Sequence, residues 1–268
     1  MNTERQSGVS FIIPAYNEEQ RLPRTLSELH RYGATFERDV EILVVDDGSV
    51  DGTVDLVRRL SATMPWLSVV SRPHLGKGAA VRAGMLAARF ERVVLCDADL
   101  SMPVNQFDRL LTALDSGVDV AVGSRALPDS RLYEDPLKRR IMSRVFNLFV
   151  RALVVGGLKD TQCGFKAFKR DVAQDLFSRQ TLDGFSFDVE ILYLARKRGY
   201  RTEEIAIDWY FDANSRVRAG RDTLHMVGDL LRIRLRTAAG GYRHTEKHPI
   251  RGMPLQVEAA NRSVQAGD

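Results

Sequence analysis

Val93-Val94-Leu95-Cys96-Asp97-Ala98-Asp99 is the stretch on which the fold turns. Its apolar opening reads as a strand buried on both faces. The strand runs straight into two carboxylates one residue apart. In an open α/β sheet, ligands gather outside the carboxyl ends of the strands. Two aspartates so placed repel each other unless a cation joins them. Oxygen-only ligation suits Mg2+ or Mn2+, and Mg2+ takes one or two carboxylates with substrate phosphates completing its shell. Asp97 and Asp99 therefore read as a seat for a metal bound to a diphosphate, although a solvated strand-end turn would share the same local sequence.

The strand sits in an alternating series. Val9 to Pro14 reads as a first buried strand. The polar loop Ala15 to Glu19 leads into a helix with Pro23 in its first turn and Leu22, Leu26 and Leu29 inward. Glu41 to Asp46 is a second strand, closed by the Gly- and Asp-rich turn Asp47 to Thr53. A helix from about Val54 to Thr63, a third strand Leu67 to Ser71, and an Ala-rich helix Ala79 to Arg89 precede the Asp97 strand. A helix from about Val104 to Leu114 then leads to a fifth strand, Asp119 to Gly123. This rhythm predicts a parallel sheet covered by helices on both faces.

After Gly123 the rhythm breaks. Short strands are expected at Gly164 to Phe168 and Glu204 to Ile207, and a helix at Phe187 to Arg198. A last amphipathic helix is marked by Leu224, Val227, Leu231 and Leu235. The expectation is a single domain over 1–242, with a donor half at about 9–125 and an acceptor half at about 126–242. Residues 243–268 show little apolar periodicity and read as a disordered or loosely packed tail.

Composition bounds the function. The 268 residues are 44% hydrophobic, in the globular range, and carry a net charge of +4, with no nucleic-acid partner expected. Two cysteines make neither a disulfide framework nor a zinc cluster. Met1 to Gly8 is polar and does not read as a signal peptide, and no window is long and apolar enough to span a bilayer. A cytoplasmic protein, peripheral on a membrane's cytoplasmic face, is expected.

Three strand ends converge on one crevice. The first offers Pro14, Tyr16 and Glu18, the second Asp46 and Asp47, the fourth Asp97 and Asp99. Carboxylates can accept hydrogen bonds from a base or ribose, and Tyr16 can flank a base. Gly76-Lys77-Gly78 sets a cation and two flexible positions before a helix N-terminus, which suits a phosphate. It is not a Walker A loop, and no G-x-G-x-x-G follows the first strand, which argues against a kinase or dehydrogenase.

In this order, Pro14-Ala15-Tyr16-Asn17-Glu18, Val45-Asp46-Asp47-Gly48-Ser49, Gly76-Lys77-Gly78 and Asp97-Ala98-Asp99 resemble a family 2 inverting glycosyltransferase of the GT-A fold. Gly123-Ser124-Arg125, Asp160-Thr161-Gln162-Cys163-Gly164-Phe165-Lys166 and Phe187-Asp188-Val189-Glu190 are similar to the dolichyl-phosphate β-glucosyltransferase branch. The resemblance runs from about Val9 to Arg236. It implies transfer of glucose from UDP-glucose to a polyprenyl phosphate. By position it implies that Pro14, Tyr16, Glu18 and Asp46 or Asp47 hold the uridine, that Lys77 assists, and that Asp97, Ala98 and Asp99 hold the metal and diphosphate. The eukaryotic relatives carry an N-terminal membrane helix that Met1 to Gly8 does not match. The Q-x-x-R-W of processive relatives is not found.

The second half suits an anionic lipid acceptor. On a helical wheel of Lys138 to Val155, Arg140, Arg144, Asn147 and Arg151 form one stripe, with Ile141, Met142, Val145, Phe146, Leu148, Phe149 and Leu153 opposite. That is a basic amphipathic helix, expected either at a membrane surface or packed on the sheet. Arg125 is the candidate for the acceptor phosphate, with Arg140, Arg144 and Gln162 beside it. A phosphate acceptor is already ionised and needs no base. For a hydroxyl acceptor, Asp188 is the first candidate base and Asp160 the second. Three readings stand beside this one: a GDP-mannose enzyme, a hydroxyl-directed transferase, and a non-catalytic nucleotide-sugar scaffold.

Overall fold

A computed structural model describes residues 7–134, 147–148, 150, 154, 156–211, 221–242 and 256–258. Strand β1 (Gly8–Ala15), helix α1 (Leu22–Gly33), β2 (Asp39–Asp46), α2 (Thr53–Ser61), β3 (Leu67–Ser71), α3 (Lys77–Ala87), β4 (Arg92–Leu95), α4 (Phe107–Asp115) and β5 (Val120–Ser124) follow one another as the alternation predicts. Then come β6 (Arg131–Tyr133), β7 (Lys166–Lys169), α5 (Arg170–Ser178), α6 (Phe187–Lys197), β8 (Thr202–Ala206), β9 (Asp208–Tyr210), α7 (Arg221–Ala238) and β10 (Gln256–Glu258).

The main sheet has eight strands in the order β10-β3-β2-β1-β4-β7-β5-β8, and β6 pairs with β9 in a parallel ribbon. Strand β1 lies at the centre, parallel to β2 on one side and to β4 on the other. The chain reverses its direction of progress there, so the carboxyl ends of β1 and β4 flank the crevice where ligands of such sheets bind.

Alternation along β1 builds two cores. Phe11 and Ile13 pack towards α1 and α4, with Leu26, Leu29 and Phe107. Ile12 packs on the other face towards α3, α5, α6 and α7, with Val81, Leu176, Leu192 and Leu230. Helix α3 lies close to the sheet because its facing positions are small. A Cβ on Gly84 would collide with the Ile12 side chain and come within 2.8 Å of Val45.

The sheet is mostly parallel and flanked by helices, as expected for the GT-A fold, and three features are not read from the sequence. The sheet is mixed: β7 inserts antiparallel between β4 and β5. It returns from a long excursion after β5, and no local pattern encodes that direction. Secondly, α7 turns a different stripe inward. Met226, Leu230 and Ile233 are buried, whereas Leu231 and Leu235 are 54% and 71% exposed. The two stripes are about 100° apart on a helix, and the first joins the core that also holds Val81, Leu176 and Leu192. Thirdly, within the expected tail, Gln256–Glu258 pairs antiparallel with the edge of β3. Edge pairing uses backbone groups and requires no apolar periodicity.

The expected basic helix falls mostly outside the described residues, including Arg140, Arg144 and Arg151. Its described part is helical at Asn147, Leu148 and Val150. There Asn147, from the polar stripe, is buried, and Leu148, from the apolar side, is 63% exposed. The Asn147 amide oxygen accepts the Thr161 hydroxyl at 3.0 Å and the Thr161 N–H at 3.3 Å, and that partnership brings the polar side chain inward. No helix among the described residues is long and apolar enough to cross a membrane.

Candidate active site

The three strand ends do converge. After β4, the Cys96 N–H bonds to the Ile12 carbonyl at 3.0 Å, which carries the strand pairing up to Asp97. A turn follows in which Leu100 holds φ +44° directly after Asp99. Backbone conformations of this kind are unfavourable for leucine and gather at functional sites. The Ser101 N–H donates to Asp99 Oδ1 at 3.1 Å, and the Ala98 carbonyl accepts the Thr25 hydroxyl at 2.7 Å.

Lys77, the first residue of α3, reaches across and sets its Nζ 2.6 Å from Asp97 Oδ1. Burial works against its charge, but Asp97, Asp188 and Asp99 outweigh that and raise its pKa above the ordinary lysine value. Asp99 is pushed up, first by burial and then by the neighbouring Asp97 carboxylate, with Lys77 opposing. The cluster thus carries more negative charge than Lys77 balances, and its donors are carboxylate oxygens. That donor set fits a hard divalent cation whose remaining ligands come from a diphosphate.

Asp188, in the first turn of α6, pairs at 2.6 Å with Lys166 Nζ. Lys166 is itself buried and also donates to the Cys163 carbonyl at 2.5 Å. Burial raises the Asp188 pKa, Lys166 and Lys77 lower it, and the net direction is upward.

Gly164, two residues before β7, presses on the same spot. A Cβ there would overlap the Asp97 carboxylate. Gly164→Ala is therefore expected to lower kcat/KM by about 10-fold or more, because displacing a reacting group by about 1 Å can cost still more. Steady-state kinetics and a melting curve check this, and a folded variant with unchanged kcat/KM would contradict it.

On the β1–β2 side, the candidates build loops. Pro14 is buried in β1, opposite Val45. Asp46 accepts the N–H groups of Gly48 and Ser49 at 3.2 Å each. Asp47 accepts those of Leu75 and Gly76 at 3.1 and 2.8 Å, so it fixes the loop that delivers Lys77. The Glu18 N–H donates to the Thr53 hydroxyl at 2.8 Å, and its carboxylate pairs with Arg21 at 3.2 Å. Tyr16 stacks on His74 with ring centroids 4.2 Å apart, and His74 Nδ1 lies 2.7 Å from Asp47 Oδ2. His74, in the loop that leads to Lys77, is thereby tied to both Tyr16 and Asp47. Only the three-dimensional approach to Tyr16 reveals it.

Arg125 at the end of β5 is held by Asp160: Nε donates at 2.7 Å and Nη2 at 3.0 Å, and the backbone N–H adds a third bond at 3.0 Å. Burial opposes the Asp160 charge, but Arg125 overcomes this and holds the carboxyl below its usual range. Arg125 also lies over the Trp209 ring, 5.4 Å from its centroid. The next residue, Tyr210, helps line a cavity of about 580 Å³ beside Asp99, with Arg21, Arg24, Thr25 and Phe211. Gln162 donates to Met226 Sδ at 3.8 Å.

This crevice has counterparts among known proteins. Residues 10–177 match the model of Glycosyl transferase family 2. A dolichyl-phosphate beta-glucosyltransferase of Dictyostelium discoideum is 34% identical over 246 residues, covering 87% of this chain and 75% of that one. The chain belongs to glycosyltransferase family 2. The Homo sapiens dolichyl-phosphate beta-glucosyltransferase is 33% identical over 252 residues, covering 88% of this family 2 chain and 77% of the human one. Among solved structures, the Mycobacterium tuberculosis glucosyl-3-phosphoglycerate synthase in complex with Mn2+, UDP and glucosyl-3-phosphoglycerate superposes with a TM-score of 0.65 at 19% identity. That likeness covers 85% of this glycosyltransferase and 80% of the synthase, and establishes the α/β fold of the family 2 domain.

Proposed function

We propose that this glycosyltransferase moves glucose from UDP-glucose to a polyprenyl phosphate of the dolichyl type, with inversion at the anomeric carbon. The observation that carries the reading is the convergence of Lys77, Asp97, Asp99 and Asp188 at the crevice between β1 and β4. This is a cation set among carboxylates where a diphosphate and a divalent metal can balance one another. The substrates follow the names of relatives about one-third identical over most of the chain.

Asp97 and Asp99 hold Mg2+ or Mn2+, which when bound offsets charge growing on the departing diphosphate. Lys77 adds a fixed positive charge to the same oxygens. Pro14, Tyr16, Glu18, Asp46 and Asp47 frame the uridine, with Tyr16 on His74 as the aromatic plate. Arg125, fixed by Asp160 and lying over Trp209, presents the acceptor phosphate, with Gln162 as a second acceptor-binding residue; Arg140 and Arg144, outside the described residues, are assigned the same role from the sequence alone. A phosphate monoester is mostly dianionic at pH 7, so its oxygen attacks without a base. Asp188 is the carboxylate placed to take a proton if the nucleophile is a hydroxyl. Leu148, Leu231 and Leu235 give the acceptor half exposed apolar side chains for a membrane surface.

The test is incubation of the full chain with labelled UDP-glucose or GDP-mannose, polyprenyl phosphate or free polyprenol, and Mn2+, Mg2+ or EDTA. The expected result is lipid-extractable label from UDP-glucose only, requiring the phosphate and abolished by EDTA. Transfer from GDP-mannose, or onto polyprenol, would replace this reading.

A further inference from the structure

Glu190 lies two residues beyond Asp188 in α6 and is fully buried. Its carboxylate accepts the Thr181 hydroxyl at 2.6 Å, the Thr181 N–H at 3.0 Å, the Leu182 N–H at 2.9 Å and the Tyr242 hydroxyl at 2.7 Å. Such a set of donors is what a buried carboxylate needs. What it secures is a loop, residues 180–184, pressed against the two glycines that flank Lys77.

The fit of that loop is close. A Cβ on Gly76 would come within 2.5 Å of the Asp183 carbonyl, and one on Gly78 within 2.7 Å of the Leu182 and Gly184 carbonyls. Gly76 also holds φ +119°, which a side chain would resist. The Ala79 N–H donates to the Asp183 carbonyl at 3.1 Å. Gln180 Nε2 bridges the Gly78 and Leu182 carbonyls at 2.9 and 2.7 Å. The backbone that starts α3, and with it the reach of Lys77 to Asp97, is therefore held by the loop that Glu190 anchors. Tyr242 comes from the far end of the chain, just after α7, whose Met226 touches Gln162.

We propose that Glu190 and Tyr242 are positioning residues for the donor diphosphate. Through loop 180–184 they set the start of α3, so that Lys77 meets the diphosphate, and they make donor affinity depend on how α7 is docked. The proposal rests on the reading of Lys77 as a diphosphate ligand. It differs from a general packing role in one respect. Loosening the loop should be felt by the diphosphate and not by the nucleoside, which lies on the Tyr16 side.

The experiment is calorimetric titration of the full chain with UDP and with uridine, in the presence of Mn2+. It compares wild type, Tyr242→Phe, Thr181→Val and the double variant, with melting curves for each. Tyr242→Phe removes one hydroxyl and keeps the ring. UDP affinity is expected to fall about 5- to 10-fold in each single variant, the upper part of the net contribution of one ordinary hydrogen bond. Uridine affinity is expected to stay within about 2-fold, and the double variant to lose less than the product of the singles because both act through one carboxylate. Wild type that binds UDP no better than uridine would overturn the diphosphate reading, and this proposal with it. Wild type that prefers UDP, with Tyr242→Phe weakening neither ligand or both equally, would overturn this proposal alone.

Discussion

Asp99→Ala is expected to lower kcat by about 100- to 1,000-fold, the effect of removing one preorganised group that stabilises transition-state charge. Asp97→Ala is expected to fall in the same range. The two carboxylates follow the same strand, and Asp99 is pushed up first by burial and then by the charge of Asp97. Removing Asp99 relieves that repulsion and breaks no ion pair, so the melting temperature of Asp99→Ala should hold or rise while turnover collapses. That opposition separates a metal seat from a structural turn, in which activity and stability fall together. The two variants differ in one respect. Asp97→Ala also strips Lys77 of its partner at 2.6 Å and leaves a part-buried ammonium beside Asp188 and Asp99. The assay is kcat at saturating donor with Mg2+ or Mn2+ in excess. Turnover retained in both variants would discard the metal seat.

Arg125→Ala should have the largest effect on stability. Asp160 is 1% exposed and loses two hydrogen bonds when the guanidinium goes, keeping the one from the backbone N–H of residue 125. Leaving a carboxylate buried without its partner costs about 3 kcal/mol, and a domain of this size then melts roughly 6–12 °C lower. The pH dependence follows from the sign of the shift. Asp160 is held below its usual pKa in the folded chain. Its ion pair therefore contributes stability that is present above the unfolded-state value, near 3.9, and is lost as pH falls through the folded value. Wild type should shed this stability on acidification below about pH 4, and Arg125→Ala should lack that part of the slope. Chemical denaturation of both proteins from pH 3 to 7 checks it. Parallel curves would mean that Asp160 draws its support from elsewhere.

What could be read in advance was local. The Asp97-Ala98-Asp99 strand end, the Asp46-Asp47 turn and the Gly76-Lys77-Gly78 loop each combine a short apolar strand or a helix start with polar residues at its tip. Backbone periodicity places such tips without knowledge of the rest of the chain. The pairing of Arg125 with Asp160 was half legible, since both residues stood out as candidates, but their mutual bond spans 35 positions. Lys166, Gly164 and Glu190 lie in motifs that carry the family resemblance, and His74 lies in the loop before Lys77, but the sequence assigns none of the four a role. Each matters because of a partner from a distant segment: Tyr16 for His74, Asp188 for Lys166, Asp97 for Gly164 and Tyr242 for Glu190. The inward stripe of α7 was misread for a related reason. A helix with apolar residues on more than one stripe is resolved only by the groove that receives it.

By itself, the amino-acid order determined the α/β alternation, the strand tips that carry charge and the small residues that open α3, because these depend on contacts within a few residues. Tertiary structure alone decided that β7 runs antiparallel through the sheet, that Lys77 neutralises Asp97, and that a buried glutamate ties the end of the chain to the loop beside that lysine. Those outcomes rest on charges and backbone groups brought together across tens of residues, where burial leaves each polar group only the partner that the fold supplies.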